Sequence, residues 1–451
     1  MRLSRSTREG VSETILALGA PRDGSGPRAI GRGSVGTVRD NAAIVVDANE
    51  HLIHGADPGG AERIPIARPS FGSRERELVD EAIRSGWVVQ GPFVREFERR
   101  FESYTGVGHA VATTSCTTAL HVAVEILGAG PGDEVIVPAF TWVATPNAVE
   151  YAGATPRFCD IELATFNIDV AAVEALVSDR TVGIIAVHLF GLCAEMEPLR
   201  EIAGEHGLWL LEDAACAFGA SYRGRPAGTL GDAACFSFHP RKSLTTGEGG
   251  MFTTDREDHA RLARSLRDHG ASQTRQQQEE GSRAHSLPAF EALGFNYRMT
   301  DLQGALGCAQ MERADWILER RRERAARYHR LLADCEWLAK PVAPEGDVHG
   351  YQAYVCLFRP EEPTTAGVES LESQRNAIMD ALDEAGIATR PGTHAPVEAG
   401  YYVSKYGLQA GAFPRAHLAE RLTIALPLYP DMTDGDQDRV CSELVQAFER
   451  L

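Results

Sequence analysis

The chain has 451 residues, 45 basic and 63 acidic, for a net charge of −18, and 43% of its residues are hydrophobic. That length suits one large domain and a smaller one with buried cores, and the apolar fraction is ordinary for a soluble globular protein. The acidic balance argues against broad binding to nucleic acid or to an anionic membrane, but leaves room for a local basic pocket that takes a phosphorylated small molecule.

No run of about 18 apolar residues marks a membrane-spanning helix. The N-terminus lacks the apolar core and small-residue cleavage site of a secretory signal. Nine scattered cysteines without a CxxC pair are expected as reduced thiols in a cytoplasmic protein. No Cys or His pair has zinc-ligand spacing, so no metal site is expected.

Residues 1–63 read as a flexible N-terminal extension. The first 40 residues hold seven arginines, no lysine and four acidic residues, and only ETILALG suits a short helix. An ordered arm and an over-long start are the alternatives; Glu9 and Glu13 weaken a targeting reading. Residues 64–310 alternate helix-like and strand-like segments and read as a large domain. RERELVDEAIRS is helical; HAVATTS is a strand, followed by the helix TTALHVAVEILG ending at Gly128. DEVIVPA, VGIIAVHLFG, LWLLEDAA, AACFSF and GGMFTTD are further strands, separated by helical stretches such as MEPLREIAGEHG. That order predicts βαβ units and a mostly parallel sheet covered by helices, an α/β fold. GASQTRQQQEEGSRAHS reads as a mobile loop. Residues 311–451 read as a smaller α+β domain. It is entered through one long arginine-rich helix, ERADWILERRRERAARYHRLLADC, and continues with the strand YQAYVCLF and the helices QRNAIMDALDEAG and GDQDRVCSELVQAFER. No internal repeat is evident.

Four stretches carry chemistry. In TTSCTTAL (113–120) a strand hands over to a helix whose free N–H groups and dipole suit an anion, and Ser115, Thr117 and Thr118 could hold a phosphate. Ordinary helix capping explains the same residues. In PAFTWVATPNAV, Trp142 follows a strand where its indole can stack on a flat ring, or simply fill a core. In WLLEDAACAFGA, an apolar strand delivers Glu212 and Asp213 to its C-terminal end, where ligands sit in open α/β sheets. A buried carboxylate there needs a cation. The protonated pyridine nitrogen of pyridoxal phosphate (PLP) is one, and a helix N-cap is the plainer alternative. In FSFHPRKSLTTGEGG, Lys242 lies between an aromatic strand and glycines that would let a ligand approach. Its amine can form a Schiff base with a carbonyl; a surface lysine in a turn is the alternative. What distinguishes the set is its order on successive sheet segments: phosphate cap, stacking aromatic, carboxylate, lysine.

Together with SGWVVQGPFVREFERRFESYTG and LGFNYRMTDLQGALG, these motifs resemble those of the sugar aminotransferases of the aspartate-aminotransferase (fold-type I) superfamily, the DegT family. The resemblance runs from about Ile64 to the C-terminus. It implies the fold-type I architecture and PLP as cofactor. Lys242 would hold PLP covalently, Asp213 would pair with the ring nitrogen, and Trp142 would stack on the ring. Ser115, Cys116 and Thr117, helped by Ser237, would bind the phosphate. The NYR element would carry Asn296 and Arg298 to the phosphate of a neighbouring subunit's cofactor, which implies a homodimer with shared active sites. Where the family often has Gln or His near the ring oxygen, this chain has Cys216, a poorer hydrogen-bond partner. The substrate loop would be RPGTHAPVEAGYY, with His394 and Tyr401 contacting sugar hydroxyls and Glu398 nearby. Gly386 would stop the preceding helix.

The implied reaction moves an amino group from glutamate or glutamine to a keto sugar. The acceptor would be a nucleotide-linked keto-deoxysugar or a keto-cyclitol, in amino-sugar, polysaccharide or secondary-metabolite biosynthesis. A PLP-dependent sugar dehydratase, in which histidine replaces the lysine, is the rival enzyme. The lysine at the motif position, with His239 three residues earlier, favours transamination. A regulatory protein that keeps the fold without catalysis is the rival of another class. No GxGxxG follows the first strand, which argues against a nucleotide-dependent oxidoreductase.

Overall fold

The computed structural model describes residues 63–272, 289–409 and 411–451. The expected extension, apart from Arg63, and almost all of the expected mobile loop lie outside these residues. The strands in chain order are β1 (His109–Thr113), β2 (Glu134–Pro138), β3 (Thr155–Cys159), β4 (Thr181–Val187), β5 (Trp209–Asp213), β6 (Ser221–Tyr222), β7 (Arg225–Pro226), β8 (Ala233–Ser237), β9 (Gly250–Thr254), β10 (Leu338–Ala339), β11 (Tyr354–Phe358) and β12 (Thr423–Leu426). The helices are α1 (Ser73–Ser85), α2 (Pro92–Thr105), α3 (Cys116–Ile126), α4 (Ala144–Tyr151), α5 (Val170–Val173), α6 (Met196–His206), α7 (Glu257–Leu266), α8 (Asp301–Glu312), α9 (Ala314–Leu331), α10 (Val368–Glu384), α11 (Gly400–Tyr406), α12 (Pro414–Leu422) and α13 (Asp434–Glu449).

A seven-stranded sheet runs in the order β1-β9-β8-β5-β4-β2-β3. Its strands are parallel except β9, which is antiparallel to both neighbours. The expected mostly parallel α/β sheet is therefore present. A second, antiparallel sheet has the order β10-β11-β12.

The central strands look like unbroken apolar runs in sequence because both of their faces are covered. Alternate residues enter two different cores. Val111, Val135, Val137, Ile185, Leu211, Cys235 and Phe252 face one core, which continues into β11 and β12 through Tyr354, Leu357 and Ile424. Ala110, Ala112, Ile136, Ile184, Leu210, Phe236 and Met251 face the other, built with Phe97 and Phe101 of α2.

The single long helix expected over residues 312–335 is interrupted. Arg313 leaves the helical range at φ −113°, so α9 starts afresh after α8. Its guanidinium is anchored on the Ser70 carbonyl (3.2 Å), the Ser70 hydroxyl (2.9 Å) and Glu75 (3.1 Å), which holds the corner. Gly386, at φ +73°, ends α10 as expected from its freedom to turn left-handed. No helix among the described residues is long and apolar enough to cross a membrane.

Candidate active site

Because β1, β2, β4, β5 and β8 share one direction, their C-terminal ends share one edge, where an open α/β sheet presents its ligand groups. Cross-strand register places Thr113 beside Gly250 and Gly250 beside Ser237, with Asp213 opposite Cys235. By alternation Thr113, Asp213 and Ser237 lie on the face of Leu211 and Cys235, the face joined to the second sheet. Three of the four expected motifs thus meet on one face of one edge, and the fourth, Trp142, enters from the turn after β2.

Ser115 caps α3, accepting from the Thr118 N–H at 3.2 Å, while its own N–H donates to Thr118 Oγ1 at 3.1 Å. Thr118 is therefore engaged in the capping box. The first helical N–H groups, those of Cys116 and Thr117, have no acceptor within the helix and remain available to an anion.

The adjacent carboxylates of β5 have opposite fates. Glu212 is fully buried and saturated. It accepts from the N–H groups of Gly228, Leu230 and Gly231, each at 2.7 Å, and from His188 Nε2 at 2.9 Å. His188 Nδ1 accepts from Ala194 N–H at 3.1 Å, so Nε2 carries the ring proton and donates. Asp213, 4% exposed, accepts only from Thr145 Oγ1 at 2.7 Å and from Ala215 N–H at 3.2 Å. Burial pushes its pKa above the usual carboxylate value, against these bonds and the charge of Lys242. It has no cation within ion-pair distance among the described residues, which leaves a buried carboxyl suited to a cationic ligand group.

Lys242 lies in the turn between β8 and β9, and its Nζ donates to Cys216 Sγ at 3.0 Å. Burial penalises the ammonium, but Cys216, Cys116 and Asp213 outweigh that cost and hold its pKa above the ordinary lysine value. The turn is held by bonds from Lys242 N–H to the His239 carbonyl (2.8 Å), from Phe238 N–H to the Gly249 carbonyl (2.9 Å) and from Thr246 N–H to the Phe238 carbonyl (3.0 Å).

Two of the glycines after Lys242 also meet demands of the backbone itself. Gly247 supplies a left-handed turn at φ +83°, and a Cβ on Gly250 would sit 2.3 Å from the Ser115 carbonyl and 2.5 Å from Cys116 N. Gly250 thus serves backbone packing of β9 against the start of α3. Gly250→Ala is expected to lower stability by at least about 1–3 kcal/mol, the usual overpacking cost, and to weaken anion binding at α3. Thermal unfolding and phosphate affinity of the variant check this.

Trp142 is 59% exposed and faces His394, with ring centroids 5.5 Å apart. The two loops are tied by a bond from Thr141 N–H to the His394 carbonyl at 3.0 Å. Tyr401 is not brought to this cluster. It reaches Glu150 at 3.4 Å, six residues and so about 9 Å along the α4 axis from the first residue of that helix, Ala144, which follows the Trp142 turn. Glu398 is spent on His417 and Arg421. The NYR segment runs beside the end of β1: Arg298 bridges Thr113, and Thr114 N–H donates to the Tyr297 carbonyl at 3.0 Å. The backbone of Asn296 bridges Asp268, with which the Arg298 guanidinium forms an ion pair.

Residues 69–445 match the DegT/DnrJ/EryC1/StrS aminotransferase family. The chain belongs to this family. It is 40% identical over 398 residues to the GDP-perosamine synthase of Caulobacter vibrioides, covering 86% of this chain and 98% of that one. It is 39% identical over 382 residues to the spore coat polysaccharide biosynthesis protein SpsC of Bacillus subtilis, covering 84% and 95%. Spr1654 of Streptococcus pneumoniae, solved in its PLP form, superposes with a TM-score of 0.79 at 27% identity, covering 86% of this chain and 99% of that one. The DegT/DnrJ/EryC1/StrS family is one of PLP-dependent sugar aminotransferases with the fold-type I architecture, and this chain is a PLP-dependent aminotransferase.

In this aminotransferase three positioning residues escaped the sequence reading. Thr145, four residues after Thr141, turns its hydroxyl onto Asp213; helical spacing from the Trp142 turn is its only sequence signal. His188 follows β4 directly and bonds across to β5. Arg321 is a buried cation of α9. It donates to the carbonyls of Tyr351 (3.3 Å), Gln352 (3.1 Å), Leu428 (3.4 Å) and Lys242 (3.3 Å), tying the lysine turn to the second sheet.

Proposed function

We propose that this chain transfers an amino group from glutamate or glutamine to a keto carbon of a nucleotide-linked keto-deoxysugar. The carrying observation is that Lys242, whose charge acts on Asp213 without an ion pair, shares the sheet edge with that buried carboxyl. The residues present fit PLP. Lys242 would hold its aldehyde carbon, Asp213 its ring nitrogen and Trp142 a ring face. Ser115, Cys116, Thr117 and Ser237 would hold its phosphate. Bound PLP supplies an electron sink for the pair released at the donor's α-carbon. Asp213 keeps the ring nitrogen protonated. The free amine of Lys242 takes the α-proton and returns it, as general base and then acid. The donor leaves as a keto acid before the acceptor binds, a ping-pong order. A homodimer in which Asn296 and Arg298 complete the partner's phosphate site rests on the family resemblance; within this chain Arg298 is held by Asp268 beside the end of β1. The lysine itself argues against the dehydratase reading.

The relative that makes GDP-perosamine supports a nucleotide-linked acceptor. So does a feature of the site mouth. Arg241 precedes Lys242, and Arg390 lies four residues before His394; both are exposed. Burial first, and then the charge of Arg390, pull the Arg241 pKa down, so the two cations are close. Such a pair suits a diphosphate. The reaction is tested by mixing PLP-loaded protein with single amino donors, following the cofactor absorbance, and then adding keto sugars. The double variant Arg241→Ala, Arg390→Ala is expected to raise KM for the nucleotide-linked acceptor about 10- to 100-fold, as loss of charge-assisted bonds does, and to spare the donor half-reaction. An unchanged acceptor KM would point to a keto-cyclitol or another uncharged acceptor.

A further inference from the structure

We propose that Cys216 and Lys242 form an oxidative modification site, at which peroxide closes a covalent sulfur–nitrogen bond between their side chains. Three observations carry this. The sulfur and the amine nitrogen already lie 3.0 Å apart. Of the nine cysteines, Cys216 alone is not buried, so it is the thiol that a small oxidant meets first. It also lies three residues after Asp213, at the sheet edge that carries the site.

The chemistry balances with hydrogen peroxide as the only co-reactant. The thiol is oxidised by two electrons to a sulfenic acid as the O–O bond is reduced, with release of water. The Lys242 ammonium gives one proton to solvent, and the free amine then attacks that sulfur. An S–N bond forms, the S–O bond breaks, and the hydroxyl leaves with an amine proton as a second water. Sulfenic acids condense with nitrogen nucleophiles in this way. Two equivalents of an external thiol reverse it, restoring the cysteine and the amine and leaving a disulfide. The lysine's four-carbon stem is flexible enough to close the remaining gap.

The timing rests on the proposed attachment of PLP to Lys242. An amine engaged with the cofactor cannot attack sulfur, so bound PLP protects the site and its loss exposes it. Oxidation would then withdraw idle enzyme, reversibly, by occupying its cofactor-binding amine.

The test uses the full chain, either PLP-loaded or stripped with hydroxylamine, treated with hydrogen peroxide and read by intact mass and peptide mapping. The stripped protein is expected to lose about 2 Da and to yield a peptide linking Cys216 to Lys242. Dithiothreitol should dissolve the link and restore PLP binding. The link should be absent from the Cys216→Ser variant, persist in Cys116→Ser, and fail to form in the loaded protein. A Cys116–Cys216 disulfide, which has the same mass change but maps differently, would overturn the proposal. So would gain of oxygen on Cys216 without a link. Borohydride reduction of the loaded protein separates the two readings. PLP fixed on Lys242 in the loaded protein, with no S–N bond in the stripped protein after oxidation, sinks this inference alone, whereas PLP fixed on another lysine sinks the attachment.

Discussion

Asp213→Asn is expected to weaken PLP binding by about 10²- to 10³-fold while leaving the cofactor-free protein as stable as the parent or more so. The two effects have opposite signs because the carboxyl is buried without a cation. In the cofactor-free protein, burial raises the Asp213 pKa above its unfolded value. The folded state then binds more protons than the unfolded state between those two pKa values. Stability is full below the unfolded pKa near 3.9 and falls as pH rises through the folded pKa. The asparagine variant has no such group, so its stability should lose that part of the pH dependence. With PLP bound, the ring nitrogen supplies the missing cation, and removing one partner of a buried pair costs about 3–5 kcal/mol. Equilibrium unfolding of the cofactor-free proteins against pH, together with PLP titrations, checks both halves. Equal PLP affinity in variant and parent would remove Asp213 from the ring nitrogen.

Lys242→Ala is expected to lower turnover by at least about 10³-fold, since it removes both the covalent attachment and the group that moves the α-proton. The fold should survive, because Arg321 holds the Lys242 backbone carbonyl rather than its side chain. PLP should still enter through Asp213 and the start of α3, so the variant is expected to bind cofactor without fixing it on borohydride reduction. Lys242→Arg keeps the charge but cannot form the covalent bond, and should be as inactive as the alanine variant. Activity in the arginine variant would show that only the charge matters. A pyridoxyl label on another lysine of the parent would move the attachment elsewhere.

Much of this was legible in the chain. Short apolar runs separated by helical patterns specified the parallel sheet, and TTSCTTAL announced a strand-to-helix hand-over because hydroxyls and small residues collect where helix N–H groups need partners. The order of four motifs on successive sheet segments was readable because the edge of a parallel sheet gathers the ends of all its strands. Other features depended on contacts distant in sequence. Arg321 sits in an arginine-rich helix whose pattern does not reveal which guanidinium is buried. The break at Arg313 comes from an anchor at Ser70 and Glu75, more than 200 residues away. Tyr401 looked like a neighbour of His394, but α11 carries it to the far end of α4.

By itself the sequence determined that a carboxylate would reach the end of β5, that a lysine would follow β8, and that a helix N-terminus would follow β1. Local periodicity and capping chemistry set those outcomes. The family resemblance pointed to Asp213 rather than Glu212, and only the tertiary structure supplies the physical reason. Glu212 and Asp213 are adjacent and chemically alike, but successive strand residues point to opposite faces. The 228–231 turn saturates one of them with backbone donors, while α4 offers the other a single hydroxyl and leaves it in want of a cation.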